Sequence, residues 1–164
     1  MSPSPSPPPA ARLGADTSVR CPGCGCVLVP ARGDDPAPAG VSAACTRLFE
    51  ETLRGLREEV TDAQVAVVVA LADGAYAAQH PGATGPQRLA EVLDDLAGRL
   101  AEPVPTPPGD VAEAPEAWRT TIADVAADLD VIDLPVLVET WARAVLADWR
   151  REPTRMPDRT TERS

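Results

Sequence analysis

The pentapeptide "CPGCG" at residues 21–25 constrains this chain more than any other stretch. Two cysteines separated by two residues, with glycine after the second, make a tight turn whose sulfurs converge on one ion. Such a turn supplies two donors, whereas a closed zinc site needs four. The fold must therefore bring remote segments to the turn. With four Cys and one His in the whole chain, only Cys26, Cys45 and His80 remain to complete the set.

Metal binding is the expected use of these thiols only where they stay reduced. The first residues, "MSPSPSPPPAARLGAD", contain no apolar stretch of the kind a secretory signal requires. The longest apolar run, "VAVVVALA" at 65–72, is far shorter than the ~20 residues needed to cross a bilayer. A cytoplasmic location follows as the expectation, and there cysteines serve as ligands or redox groups rather than structural disulfides. The net charge is −10, and no basic stripe offers a footprint for nucleic acid or for an anionic membrane surface. Every basic residue is Arg, and Pro and Ala are abundant, which reads as the coding bias of a GC-rich bacterium.

Apolar periodicity predicts a mainly α fold: a small bundle of about five helices with an N-terminal zinc knuckle or short β-hairpin. Residues 1–18, rich in Pro and Ser, are expected to be a disordered tail, because they cannot bury enough surface to offset ordering entropy. Residues 19–150 form one zinc-binding helical domain, and 151–164 a second disordered tail. Within the domain, "CVLV" at 26–29 is β-prone and ends at Pro30. Ser42 caps a helix that runs to about Glu59, with Cys45, Leu48, Phe49, Leu53, Leu56 and Val60 along one side. Thr61 and Asp62 cap a second helix, to about Gln79, whose middle is apolar all round and therefore central. Gly74 weakens that helix, so a packing reason for it is expected. A third helix spans Pro86 to about Leu100 and a Pro-rich connector covers 101–117. "TIAD" at 121–124 is a variant capping box opening a short helix to about Leu129. The last helix, Leu134 to Arg150, carries the stripe Leu134, Leu137, Val138, Trp141, Val145 and Trp149. Only 3% of the residues are aromatic, so Ala, Val and Leu must fill most of the core.

This layout ranks the candidate ligands. Cys26 is the weakest, because the chain turns at Gly25 and leaves as a strand, aiming its side chain away from the ion. Cys45 lies in the first turn of a capped helix, where the positive end of the helix favours a thiolate. His80 ends the second helix, and Pro81-Gly82 stop that helix from continuing. If the first two helices are antiparallel, the start of one lies beside the end of the other, and Cys45 meets His80. The expected metal set is Cys21, Cys24, Cys45 and His80, with zinc as the ion.

"CPGCG", "GVSAACTRLFEE", "AYAAQHPG", "TIADV" and "WARAVLADW" occur in the order that resembles the uncharacterised bacterial family called domain of unknown function 5946. The resemblance spans roughly residues 20–150. It implies roles for Cys21, Cys24, Cys45, Tyr76, Gln79, His80, Pro81, Gly82, Trp141 and Trp149, and it leaves out Cys26. Two positions depart from the family pattern: Gly74 stands where an Asp is expected, with Asp73 one place earlier, and Val92 or a neighbour replaces a second His. The resemblance implies a fold and a site but no reaction.

Three functions compete. A closed set of three Cys and one His has no open position for water, which favours a zinc-stabilised helical module that binds a protein partner. A metal-dependent hydrolase needs an open position and a general base, for which Asp73 and Asp124 are the nominees. In a thiol redox switch, oxidation of Cys21, Cys24 or Cys26 would release the zinc, with Cys26 as a spare thiol. No catalytic residue is nominated for a Ser-His or Cys-His mechanism, because the single His is committed to metal.

Overall fold

Short apolar stripes punctuated by proline and capping residues give short helices, and the computed structural model contains six among the residues it describes, 18–30, 37–105 and 114–151. The proposed tails at 1–18 and 151–164, except for residues 18 and 151 themselves, and the middle of the Pro-rich connector lie outside the described residues. Two strands, β1 (Val19–Arg20) and β2 (Val27–Leu28), pair antiparallel and flank the cysteine turn, with Val19 opposite Leu28 and Arg20 opposite Val27.

Helix α1 (Ala43–Glu58) begins where expected, with the Ser42 hydroxyl accepting from the Cys45 N–H at 3.2 Å. Phe49 and Leu53 are buried on its inner side, but Val60 lies past its end and is exposed. Asp62 caps α2 (Ala63–Gln79) by accepting from the N–H groups of Gln64 and Val65. As its all-round apolar middle requires, α2 is central: it packs on α1, on α4 (Pro86–Leu100) and on α6 (Leu134–Trp149). The chain does not loop after His80. It makes a one-turn helix, α3 (Pro81–Thr84), because Pro81 is preset for a first-turn position.

Gly74 has the packing reason its cost requires. A Cβ there would lie 2.8 Å from Leu96 Cδ2, so the missing side chain lets α4 sit close against α2. The Leu89, Val92, Leu93, Leu96 and Leu100 stripe of α4 is buried throughout. Val92, where a second His was expected, is ordinary core. Helix α5 (Ile122–Ala127) is shorter than its pattern suggested, and Leu129 is exposed beyond it. Its capping box forms, with the Asp124 carboxylate accepting from the Thr121 N–H at 2.7 Å.

The few aromatics sit together near the C-terminal end of α2. Phe49 stacks on Tyr76 with ring centroids 4.0 Å apart, and Trp141 meets Phe49 edge-on. Trp118 and Trp149 pack edge to face. Asp148, buried on α6, accepts from the Arg119 backbone N–H and Nε and also pairs with Arg151. The bonds from Arg119 anchor the segment before α5 to the last helix and compensate the buried Asp148 carboxylate. No helix among the described residues is long and apolar enough to cross a membrane.

Candidate metal centre

The turn at 21–26 is closed by two backbone bonds, Cys21 N–H to the Cys26 carbonyl at 2.8 Å and Gly25 N–H to the Cys21 carbonyl at 2.9 Å. The first of these continues the β1–β2 register by one step. Cys21 and Cys26 are therefore opposite one another, and directly opposite residues point to the same face. This corrects the sequence expectation for Cys26: its side chain turns towards the other thiols, and its Sγ lies 3.2 Å from that of Cys24. All four cysteines are buried and free, and their sulfurs lie within 4.8 Å of one another. Such a group can hold a metal ion.

His80 approaches the same cluster from the far end of α2. Its Nε2 is 3.4 Å from Cys21 Sγ and 3.6 Å from Cys45 Sγ. Cys45 Sγ is in turn 3.7 Å from Cys24 Sγ. The start of α1 thus lies beside the end of α2, which is the arrangement that brings Cys45 to His80.

The imidazole is held by its other nitrogen. Nδ1 is 2.6 Å from the Tyr76 carbonyl oxygen, and a carbonyl can only accept, so Nδ1 carries a proton. Tyr76 provides one of the last four carbonyls of α2, groups that have no partner within their own helix. The bond fills that vacancy and leaves Nε2 facing the sulfurs, the orientation that a metal-ligating His normally owes to a second partner. The neighbouring carbonyls are filled as well: Ala77 accepts from Thr84 Oγ1, and Ala78 from Trp149 Nε1. Gln79, wholly buried, donates to the Thr120 carbonyl and accepts from Trp141 Nε1.

Charge in the cluster is shared. Hydrogen bonds from Cys24, Cys26 and Cys45 hold the Cys21 thiol well below its usual range. The bond to Cys21 raises Cys24, but those to Cys26 and Cys45 outweigh it and bring Cys24 down to about 5. Bonds to Cys21 and Cys24 push Cys26 and Cys45 upwards. Burial pulls His80 down, yet its bonds to Cys21, Cys24 and the Tyr76 carbonyl prevail and raise it to about 9. Burial pushes the Tyr76 phenol up. Two sulfurs thus favour the thiolate form before any ion arrives, and a metal at this point would replace the Nε2 proton.

Residues 19–150 match the family of unknown function DUF5946. The chain belongs to that family. No curated protein and no solved structure matches it. Membership agrees with the resemblance carried by the "CPGCG", "AYAAQHPG" and "WARAVLADW" segments, which supply Cys21, Cys24, His80, Trp141 and Trp149.

The two nominated carboxylates have other work. Asp73 is half-exposed and pairs with Arg57 at 2.6 Å, while Asp124 is occupied by the capping box. Sequence reasoning missed two further parts of the site. Gly23 packs directly on the end of α2, where a Cβ would come within 2.4 Å of His80 Cδ2 and 2.9 Å of the Gln79 carbonyl oxygen. Trp118 Nε1 donates to the Gly23 carbonyl at 3.1 Å and clasps the turn from the other side. No local pattern marks Trp118, which stands 95 residues away in sequence.

Proposed function

We propose that this protein is a helical module stabilised by one structural zinc, held by Cys21, Cys24, Cys45 and His80. The observation that carries the reading is the set of contacts His80 Nε2–Cys21, His80 Nε2–Cys45 and Cys24–Cys45 at 3.4, 3.6 and 3.7 Å. Tetrahedral zinc with bonds near ~2.3 Å to sulfur and ~2.0 Å to nitrogen has edges of about 3.5–3.8 Å between its ligands. The Cys24–Cys26 contact of 3.2 Å is shorter than such an edge, which argues against both sulfurs binding the same ion. Cys26 is then the surplus donor. The donor set of three soft thiolates and one imidazole suits zinc over hard cations.

A role in holding a protein partner fits this build. The cleft between the hairpin and α1 is lined by Leu28, Val29, Pro30, Ala44, Leu48 and Glu51, and measures about 170 Å³. That is below the ~300–1,000 Å³ typical of small-molecule sites. Val27 and Val29 on the hairpin are 58% and 77% exposed, a feature suited to a chain laid across the surface. The hydrolase reading lacks a base, since Asp73 and Asp124 are engaged elsewhere. A cytoplasmic setting, with no nucleic-acid or membrane partner, is part of the same proposal.

Zinc titration of two variants tests the ligand set. Cys26→Ser should bind one zinc as the parent does, whereas His80→Ala should bind it more weakly and melt earlier, because binding energy at a structural site is also folding energy. Full zinc retention in His80→Ala, with loss in Cys26→Ser, would replace the proposed set by four cysteines.

A further inference from the structure

The surplus thiol has a partner within reach. Cys24 lies closer to Cys26 than to Cys45, with sulfurs 3.2 Å apart against 3.7 Å. Cys24 and Cys26 are also the two most exposed of the four, at 3% and 7%, against 1% for Cys21 and 0% for Cys45. The two cysteines in closest sulfur contact are thus also the two least deeply buried. One of the two is a proposed ligand and the other is not.

Resting on the zinc reading above, we propose that Cys24 and Cys26 are a hydroperoxide-reactive pair whose disulfide removes Cys24 from the metal. In the first step the Cys24 thiolate attacks the outer oxygen of a hydroperoxide. An S–O bond forms, the O–O bond breaks, and the alkoxide or hydroxide leaves, giving Cys24 sulfenic acid. In the second step the Cys26 thiol attacks that sulfur. The S–S bond forms, the S–O bond breaks, and the hydroxyl departs as water with the Cys26 proton. The two thiols together lose two electrons, and these reduce the peroxide to an alcohol and water. Cys21, Cys45 and His80 remain beside each other, but three donors no longer close the site. The ion then exchanges or leaves.

Cys26 thus explains its own position. A structural site needs four donors, and a fifth at sulfur contact, two residues beyond a ligand, is the resolving thiol that such a reaction requires. It also makes the oxidation reversible, because a disulfide can be reduced by thiols and a sulfinic acid cannot.

The test uses the full chain, treated with hydrogen peroxide and followed by intact mass, disulfide mapping and a chromogenic chelator. The parent should lose two hydrogen atoms, map a Cys24–Cys26 bond, and release its metal in step, with metal binding restored by dithiothreitol. Under excess peroxide Cys26→Ser should form no disulfide; its unresolved Cys24 sulfenic acid should go on to the sulfinic acid, a gain of two oxygens, and dithiothreitol should not restore binding. A bond mapped to Cys21 or Cys45, no disulfide at all, or reversible release from Cys26→Ser would each overturn the proposal. Metal content is measured before oxidation and mapping is repeated on chelator-stripped protein. A protein that holds no zinc at the outset thus sinks the structural-zinc reading alone, while the mapped bond still decides the pair.

Discussion

At Gly23 a single missing methyl group decides whether the cysteine turn can reach the helix that carries His80. A Cβ at this position would lie 2.8 Å from the Gly40 carbonyl oxygen and 2.9 Å from that of Gln79, and neither backbone group can give way. Gly23→Ala should therefore push the turn off α2, lowering stability by about 1–3 kcal/mol, the usual cost of overpacking, and weakening zinc binding. Gly55→Ala is the control. Gly55 lies inside α1 with nothing near its missing side chain, so alanine should raise stability there by roughly 0.5–1 kcal/mol through helix propensity. Thermal melts and zinc titration of the two variants check both signs. Cys26 teaches a related lesson about single residues. Its direction was set by pairing with Cys21 across the turn, not by the strand that follows it.

The end of α2 gathers chemistry and packing into two helical turns. Its last carbonyls are filled by His80, Thr84 and Trp149, and its last side chain, Gln79, takes a bond from Trp141. The element that presents the proposed zinc ligand is thereby held by α6. Trp141 has no exposed surface, and truncating it would open a cavity and leave Gln79 Oε1 without its partner. Trp141→Ala should cost about 3–5 kcal/mol in chemical denaturation. Zinc affinity should fall with it, because the platform under His80 loosens. An unchanged denaturation midpoint would contradict the packing described for α6.

Across the whole molecule, the turn, the two ends of α1 and α2, and the segment before α5 meet at one place. Removing the metal should therefore be felt at Trp118, which holds the Gly23 carbonyl. Chelation should shift tryptophan emission to the red and lower the melting temperature together. His80 should also give the stripped protein a pH-dependent contribution to stability. His80 is raised from its ordinary 6.5 to about 9, so the folded state binds its proton more tightly than the unfolded chain does. That contribution is fully present below about 6.5 and is lost as pH climbs through about 9. With an ion on Nε2 there is no such proton to lose. The melting-temperature advantage of the stripped parent over stripped His80→Ala should shrink from pH 6 to pH 10, since the cysteines titrate in both; an advantage that does not change with pH would count against this environment for His80.

The periodic stripes, the caps at Ser42 and Asp62 and the prolines at 86 and 135 were sufficient in the sequence to place the four long helices, because those signals act within a few residues. The helical fold with a cysteine hairpin, the family, and a cluster of cysteines able to hold a metal were legible for the same reason. What lay beyond local signals was direction and close approach. The orientation of Cys26 depended on cross-strand register, and the burial of Gly23 depended on where α2 ends. The one-turn helix after His80 and the exposure of Val60 and Leu129 followed from where neighbouring helices stop. Trp118 reaches its partner across 95 residues, a contact that no periodicity encodes. A sequence records which side chains can cap, bury or ligate; only the packed chain fixes which of them face one another, since that depends on every element between them.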